Sequence, residues 1–326
     1  MDKYIQQFPE QLVDALRIVD STATFQLPRT PKHVITSGMG GSGIGSVIVR
    51  TLISQQLTVP FAFSSDYRLP GWTNSDTLVL CSSYSGNTEE TLSAMQFALD
   101  RGCMVVCVTS GGKMLEIAKE KNLPVVIIPG GRPPRSSIGY SIIAQLFLLQ
   151  HCGIIDNSWH ASMEKCIAFI HENMSVIREQ AESLAVEIDG SIPVIYSDAL
   201  LAGTAVRWKQ QLNENAKIHA FTHVVPEMNH NELVAYYHPD HRINVICLRH
   251  APENPRTAKR FSLMEELIQG KAGSIITVLA TGPTLFEQIF GLIHLGDWLS
   301  VALAERKGVN PIDIEMLEWL KKALDK

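Results

Sequence analysis

The chain has 326 residues, 45% of them hydrophobic, and 28 Lys and Arg against 33 Asp and Glu give it a formal net charge of −5. That length suggests about two domains with ample apolar residues for two cores. Charges of both signs are scattered without a basic stripe, which argues against nucleic acid as the main partner; binding one phosphate group needs only local donors. The stretch from Met1 to Pro9 lacks a basic region followed by an apolar core, and no apolar run approaches ~20 residues, so a soluble, cytoplasmic protein without a secretion signal or membrane span is expected. Cys81, Cys103, Cys107, Cys152, Cys166 and Cys247 lie mostly inside apolar runs and never as C-x-x-C, and read as buried free thiols in a reducing compartment.

His33 to Ser37 reads as a short strand entering Gly38-Met39-Gly40-Gly41-Ser42-Gly43, after which Ile44 to Ser54 has helical spacing. The pattern recurs with a strand at Leu78 to Cys81 and a helix starting near Glu89, then with a strand at Met104 to Val108, a helix from Met114 to Lys121 and a strand at Val125 to Ile128. Such alternation predicts a parallel sheet covered by helices on both faces. Residues near Cys152 to Glu187 are largely helical in pattern. A second alternating series follows, with strands at Ile192 to Tyr196, Ile243 to Leu248 and Ser274 to Leu279 and helices at Ala199 to Asn213 and Thr257 to Gln269. The expected division is residues 1–152 and 153–326, both α/β. The last long helix, Leu285 to Arg306, stops at Lys307-Gly308-Val309-Asn310-Pro311, where glycine and proline end it.

Ser82-Ser83-Tyr84-Ser85-Gly86-Asn87-Thr88 is the most informative stretch. Hydroxyl side chains and backbone amides at a strand-to-helix turn point donors at an anion, and the helix dipole favours negative charge there. A helix cap needs one such residue; Ser83, Ser85 and Thr88 around Gly86 exceed that need, so phosphate binding is the better reading, with Glu89 and Glu90 turned away from the anion. Gly38-x-Gly40-x-x-Gly43 after a strand matches a dinucleotide fingerprint, with Asp66 near the distance of a ribose ligand. A dinucleotide leaves the second, hydroxyl-rich loop unexplained, and a structural glycine turn accounts for the first. Gly130-Gly131-Arg132-Pro133-Pro134-Arg135-Ser136-Ser137 places cations at a sheet edge where α/β proteins bind ligands, Arg135 more so than Arg132. Further on, Asn213-Glu214-Asn215 and Pro226-Glu227-Met228-Asn229-His230-Asn231-Glu232 gather acid, amide and imidazole groups. His219-x-x-x-His223 has the spacing of metal ligands on a helix, but Val224-Val225-Pro226 argues against that helix, and no metal site is expected.

Taken in order, these residues resemble the bifunctional phosphoglucose/phosphomannose isomerases, built from two sugar isomerase (SIS) domains. The resemblance rests on Gly38 to Gly43, Ser83 to Thr88, Arg135, Asn213-Glu214-Asn215, Asn229-His230-Asn231 and Lys307 to Pro311, and it covers nearly the whole chain. Each piece alone is weak; the ordered set is specific. The resemblance implies two SIS-type domains, each a parallel sheet flanked by helices. It implies that Ser83, Ser85 and Thr88 hold the sugar phosphate and that Gly41 and Ser42 approach the sugar. Glu214 would be the proton-transfer base, Arg135 would stand beside the reacting carbons, His230 would serve ring opening and Lys307 would assist at the ring oxygen. The histidine of such enzymes can reach a neighbouring subunit's site, which implies a homodimer with a shared active site. Ser300 stands where the family pattern favours a threonine that accommodates the mannose form.

The implied reaction interconverts glucose 6-phosphate, and mannose 6-phosphate, with fructose 6-phosphate through an enediol and needs no cofactor. Its proton transfer suits a partly buried glutamate with a raised pKa, and its developing oxyanion suits an arginine that keeps its charge. A non-catalytic sugar-phosphate sensor on the same fold would keep Ser83, Ser85 and Thr88 but would not need Glu214, His230 and Lys307 together.

Overall fold

The structure, a computed structural model, describes residues 1–324. The chain divides into two compact units, Gln6–His171 and Met1–Ile5 with Glu172–Lys326. The division falls inside the long helix α7 defined below.

The short α1 (Asp2–Gln6) falls almost wholly to the second unit; the first runs α2 (Phe8–Asp20), β1 (His33–Ser37), α3 (Gly40–Leu52), β2 (Phe61–Ser64), β3 (Thr77–Ser83), α4 (Glu89–Asp100), β4 (Met104–Thr109), α5 (Gly112–Glu120), β5 (Val125–Ile127), a 3₁₀ turn at Pro134–Ser136 and α6 (Ile138–His151). All five strands are parallel, in the order β2-β1-β3-β4-β5. Every residue of β3 and β4 is buried, as a parallel strand covered on both faces requires. Ile35, Val79, Cys81, Val105 and Cys107 face Ala94, Met95 and Ala98 of α4 and Met114 and Ala118 of α5. Helices α3 and α6 cover the opposite face, and α2 packs on α6. Helix α6 is buried nearly all round, with 12 of its 14 residues inside, so it lacks the polar stripe that marks a surface helix.

The second unit takes the latter part of α7 (Ser158–Ile188) into β6 (Ile192–Ser197), α8 (Ala202–Glu214), β7 (Phe221–Val224), 3₁₀ turns at Glu227–His230 and Glu232–Tyr237, β8 (Asp240–Arg249), α9 (Pro255–Ile268), β9 (Ala272–Leu279), α10 (Leu285–Arg306) and α11 (Glu315–Leu324). Its four strands are also parallel, in the order β7-β6-β8-β9. Val194, Tyr196, Val245 and Cys247 form one core with Phe261, Met264 and Ile268 of α9. On the other side α8 packs against α10. Each unit is thus a parallel sheet flanked by helices, the architecture expected from the sequence.

The six cysteines stand outside any disulfide, five of them buried and Cys103 partly so. No helix among the described residues is long and apolar enough to cross a membrane.

Candidate active site

The strand order of the first unit reverses direction between β1 and β3, and ligands of open parallel sheets bind in the crevice at the carboxyl ends of the strands where that happens. The two glycine- and hydroxyl-rich loops leave from those two ends. Register pairs Ser37 with Cys81, so β1 and β3 end side by side and Gly38 to Gly43 lies against Ser83 to Thr88. The Ser42 hydroxyl joins the loops by accepting the Tyr84 N–H at 3.2 Å. A Cβ on Gly43 would come within 2.5 Å of the Gly38 carbonyl, so the glycine spacing is accounted for by the tight turn itself. Asp66, the residue at ribose-ligand distance, accepts the N–H of its own neighbour Tyr67 at 2.6 Å.

Within the second loop, Ser83 is buried and its Oγ lies 2.8 Å from Thr88 Oγ1 while accepting the Gly86 N–H at 3.1 Å. The Ser85 hydroxyl is exposed and accepts the Asn87 N–H at 3.2 Å. Thr88 stands at the cap position of α4, yet its side chain makes no capping hydrogen bond. Its hydroxyl turns to Ser83 instead, and leaves the first-turn amides of α4 without a side-chain cap from Thr88. Capping therefore does not explain this cluster. Glu89 accepts the Tyr67 hydroxyl at 3.3 Å, which accounts for one of the two carboxylates at the helix start.

A third loop, after β4, holds the second in shape, a part that the sequence reading missed. Ser110 donates its hydroxyl to the Tyr84 carbonyl at 2.6 Å, the Lys113 N–H reaches Asn87 Oδ1 at 3.0 Å, and the Met114 N–H reaches the Gly86 carbonyl at 2.9 Å. Ser110-Gly111-Gly112 after a buried strand was the available signal.

Arg135 lies in the 3₁₀ turn Pro134–Ser136 and is only 4% exposed, unlike a solvated loop arginine. Gly41 borders the same turn: a Cβ built on it would lie 3.5 Å from the Pro134 carbonyl oxygen and 3.7 Å from the Arg135 Cα. Arg132, half-buried, gives its N–H to the Tyr84 hydroxyl at 3.0 Å and sets its guanidinium 5.7 Å from the Tyr140 ring centroid. Gly41, Ser42, Ser83, Ser85, Thr88 and Arg135 are thus gathered at one edge of the first sheet.

In the second unit the corresponding switch point, between β6 and β8, is filled by the chain's own groups. Asp198 at the end of β6 lies 2.8 Å from His250 Nε2 at the end of β8, a contact that holds the His250 pKa above its ordinary value. Asn254 caps α9 with its side chain, accepting the Arg256 N–H at 2.9 Å, and Glu253 pairs with Arg249 at 3.0 Å. Carboxylates and a satisfied helix start make that crevice unfavourable for a phosphate.

Glu214 is the last residue of α8. Because α8 runs back from the carboxyl end of β6, its end lies away from that filled crevice. Half-buried, Glu214 lines a cavity of about 360 Å³ with Asn213, Lys217 and the stretch Asp313 to Leu317. Lys217 Nζ closes part of this wall by donating to the Asp313 carbonyl at 2.7 Å and to the Glu214 carbonyl. The end of α8 is fastened to α10 by a buried polar seam. Arg207 Nη2 meets Asp297 at 2.6 and 2.8 Å, Gln211 Nε2 reaches Asp297 Oδ1 at 2.7 Å, and Asn215 Nδ2 donates to Ser300 Oγ at 2.9 Å. Burial pushes the Asp297 pKa up, opposed by the Arg207 guanidinium. Ser300 has no exposed surface and gives its hydroxyl proton to the Asp297 carbonyl at 2.7 Å. His230 is exposed at the end of its 3₁₀ turn, and Lys307 is exposed just past α10. His223 sits on the strand β7 and contacts Glu232 at 2.8 Å, so no helical pair with His219 forms.

Comparison with known proteins decides the family. The bacterial phospho-glucose isomerase C-terminal SIS domain model matches residues 177–324. A bifunctional phosphoglucose/phosphomannose isomerase of Caldicellulosiruptor bescii is 32% identical over 99% of this chain and 98% of its own length. The chain belongs to the bifunctional phosphoglucose/phosphomannose isomerase family. A second member, from Aquifex aeolicus, is 36% identical over 90% of this chain and 91% of its own. The fold is shared more widely. The C-terminal domain of glucosamine-fructose-6-phosphate aminotransferase from Francisella tularensis superposes with a TM-score of 0.74 over 94% of this chain and 96% of its own, at 15% identity.

Proposed function

We propose that this chain is an aldose–ketose isomerase that interconverts glucose 6-phosphate and mannose 6-phosphate with fructose 6-phosphate. The observation that carries the reading is the near full-length match to relatives named for that activity, on a chain whose uncapped hydroxyl loop lies at a sheet switch point. The relatives are named as enzymes, and the sensor reading has no support among them.

Ser83, Ser85, Thr88 and the first amides of α4 take the 6-phosphate, and Gly41 and Ser42 approach the sugar. His230 and Lys307 serve ring opening, in which the anomeric hydroxyl loses its proton and the ring oxygen gains one. Glu214 then takes the proton from carbon 2. The electron pair of that C–H bond forms the C1–C2 double bond, and the carbonyl oxygen at carbon 1 takes up the charge. Arg135 stabilises this enediolate because a guanidinium keeps its charge. Return of the proton to carbon 1, with the proton of the carbon 2 hydroxyl passing to the oxygen on carbon 1, yields the ketose. One carbon is reduced as its neighbour is oxidised, so no external oxidant is consumed. The intermediate is planar at carbon 2, which lets both aldose epimers converge on it. Ser300, hydrogen-bonded to Asn215 beside the base, enters this scheme as the hydroxyl associated with the mannose form.

The working unit in this proposal is a homodimer, with His230 serving the partner's site; its exposed position supports that reading. The scheme is tested with Glu214→Gln, which keeps shape and hydrogen-bonding capacity but not basicity. Turnover is expected to vanish while fructose 6-phosphate still protects the protein against thermal unfolding; full turnover would remove Glu214 from the role of base.

A further inference from the structure

We propose that Gln11, which lies on the N-terminal helix α2 and outside every motif of the family resemblance, is the positioning residue for Arg135. The inference rests on the assignment of Arg135 to the reacting carbons. Gln11 is 2% exposed. Its Nε2 donates to the Ser136 carbonyl at 2.7 Å, and its Oε1 accepts the Gly139 N–H at 2.8 Å. One side chain, distant in sequence, thus grips the residue after Arg135 and the first turn of the helix that follows.

The turn also carries hydrogen bonds of its own, among them that of the Ser136 hydroxyl to the Pro133 carbonyl at 2.8 Å. The Ser136 N–H reaches the Pro133 carbonyl at 2.9 Å, and the Ser137 N–H reaches the Pro134 carbonyl at 3.1 Å. Two of the residues feeding it are prolines, which contribute no N–H. Gln11 adds a brace to this short turn from a separate helix. Glutamine suits the task because it offers a donor and an acceptor from one neutral group, whereas an ionised glutamate would offer acceptors alone.

The packing on the other side of the contact is matched to it. A Cβ on Gly139 would come within 2.7 Å of both Gln11 Oε1 and Leu12 Cδ2, so the close approach of α2 requires glycine there. One turn further along α2, Asp14 accepts the Tyr140 hydroxyl at 2.9 Å. Tyr140 is in turn the ring beneath Arg132, whose N–H is tied to Tyr84 of the phosphate loop. Helix α2 therefore sets the arginine turn and, through Tyr140, borders the phosphate loop.

The test is a double-mutant cycle in the full chain. Gln11→Leu keeps apolar bulk but removes both hydrogen bonds. It is expected to lower kcat about a hundredfold, the scale of an ångström-level misplacement of a catalytic group. The inhibition constant of inorganic phosphate, which reads the phosphate loop, is expected to stay unchanged. In an Arg135→Ala background, measured at high enzyme concentration, Gln11→Leu should cost nothing further. Losses that simply add, or a lowered melting temperature with unchanged kcat, would overturn the proposal. Should Gln11→Leu not fold, Gln11→Glu keeps the bond to Gly139 and loses the one to Ser136, and wild-type kcat in that variant would overturn it equally. Wild-type turnover by Arg135→Ala alone would instead strike the assignment of Arg135, and the proposal would fall with it.

Discussion

Gly86→Ala is the perturbation that most sharply tests how the proposed phosphate loop is built. Gly86 has φ of +69°, a left-handed conformation that costs a residue with a side chain about 1–2 kcal/mol. The added methyl would stand 1.8 Å from the Gly111 carbonyl oxygen, far inside van der Waals contact. That carbonyl accepts the Thr109 hydroxyl at 2.9 Å, and the Gly86 carbonyl accepts the Met114 N–H at 2.9 Å. The two loops have to part by more than an ångström and strain or break these bonds, each with a net contribution of about 1 kcal/mol. The sum is about 3–4 kcal/mol. A chain that keeps its fold by moving the loop should lose about a hundredfold in kcat/KM, since Ser83, Ser85 and Thr88 move with it. The assay pairs steady-state kinetics on fructose 6-phosphate with thermal unfolding, where a fall of about 10 °C is expected. Gly71→Ala is the control, because a methyl there meets open space and φ is not left-handed. Wild-type kinetics and melting temperature in Gly86→Ala would refute the reasoning.

His294 predicts a pH effect on stability. It has no exposed surface, burial depresses its pKa to about 4, and its Nε2 takes the Trp298 indole N–H at 3.2 Å. The unfolded chain binds a proton near pH 6.5 while the folded one resists it, so stability is full above pH 6.5 and falls as the pH drops toward 4. By pH 4 this group alone should remove about 3 kcal/mol, measured as the denaturant-unfolding difference between wild type and His294→Gln. Parallel pH profiles for the two proteins would contradict the assignment. For the shared site, mixing Glu214→Gln chains with His230→Ala chains should restore activity absent from either alone; no recovery would place His230 in its own chain's site.

Much of the fold was legible because alternation and punctuation survive in the sequence. The strand His33–Ser37 and the helix Leu285–Arg306 stand where apolar runs meet glycine and proline signals. Helix α6 was not legible, because a helix buried all round has no amphipathic period to detect. Strand β2 was missed for another reason: Phe61–Ser64 is a short edge strand whose residues are mostly half-buried. In the candidate site, the hydroxyl density of Ser83, Ser85 and Thr88 is plain in the sequence, but the bond that turns Thr88 away from capping is visible only in three dimensions. Ser300 and Asn215 are adjacent in space across two helices, and nothing local in either segment announces that contact. The same holds for Gln11, which reads as one more polar residue on an amphipathic helix until its amide is seen between Ser136 and Gly139.

The most direct test of the central claim is the formation of fructose 6-phosphate by the purified protein from glucose 6-phosphate and from mannose 6-phosphate, each supplied alone. Turnover of both aldoses is the predicted result, and a protein that binds both sugar phosphates yet converts neither would contradict it.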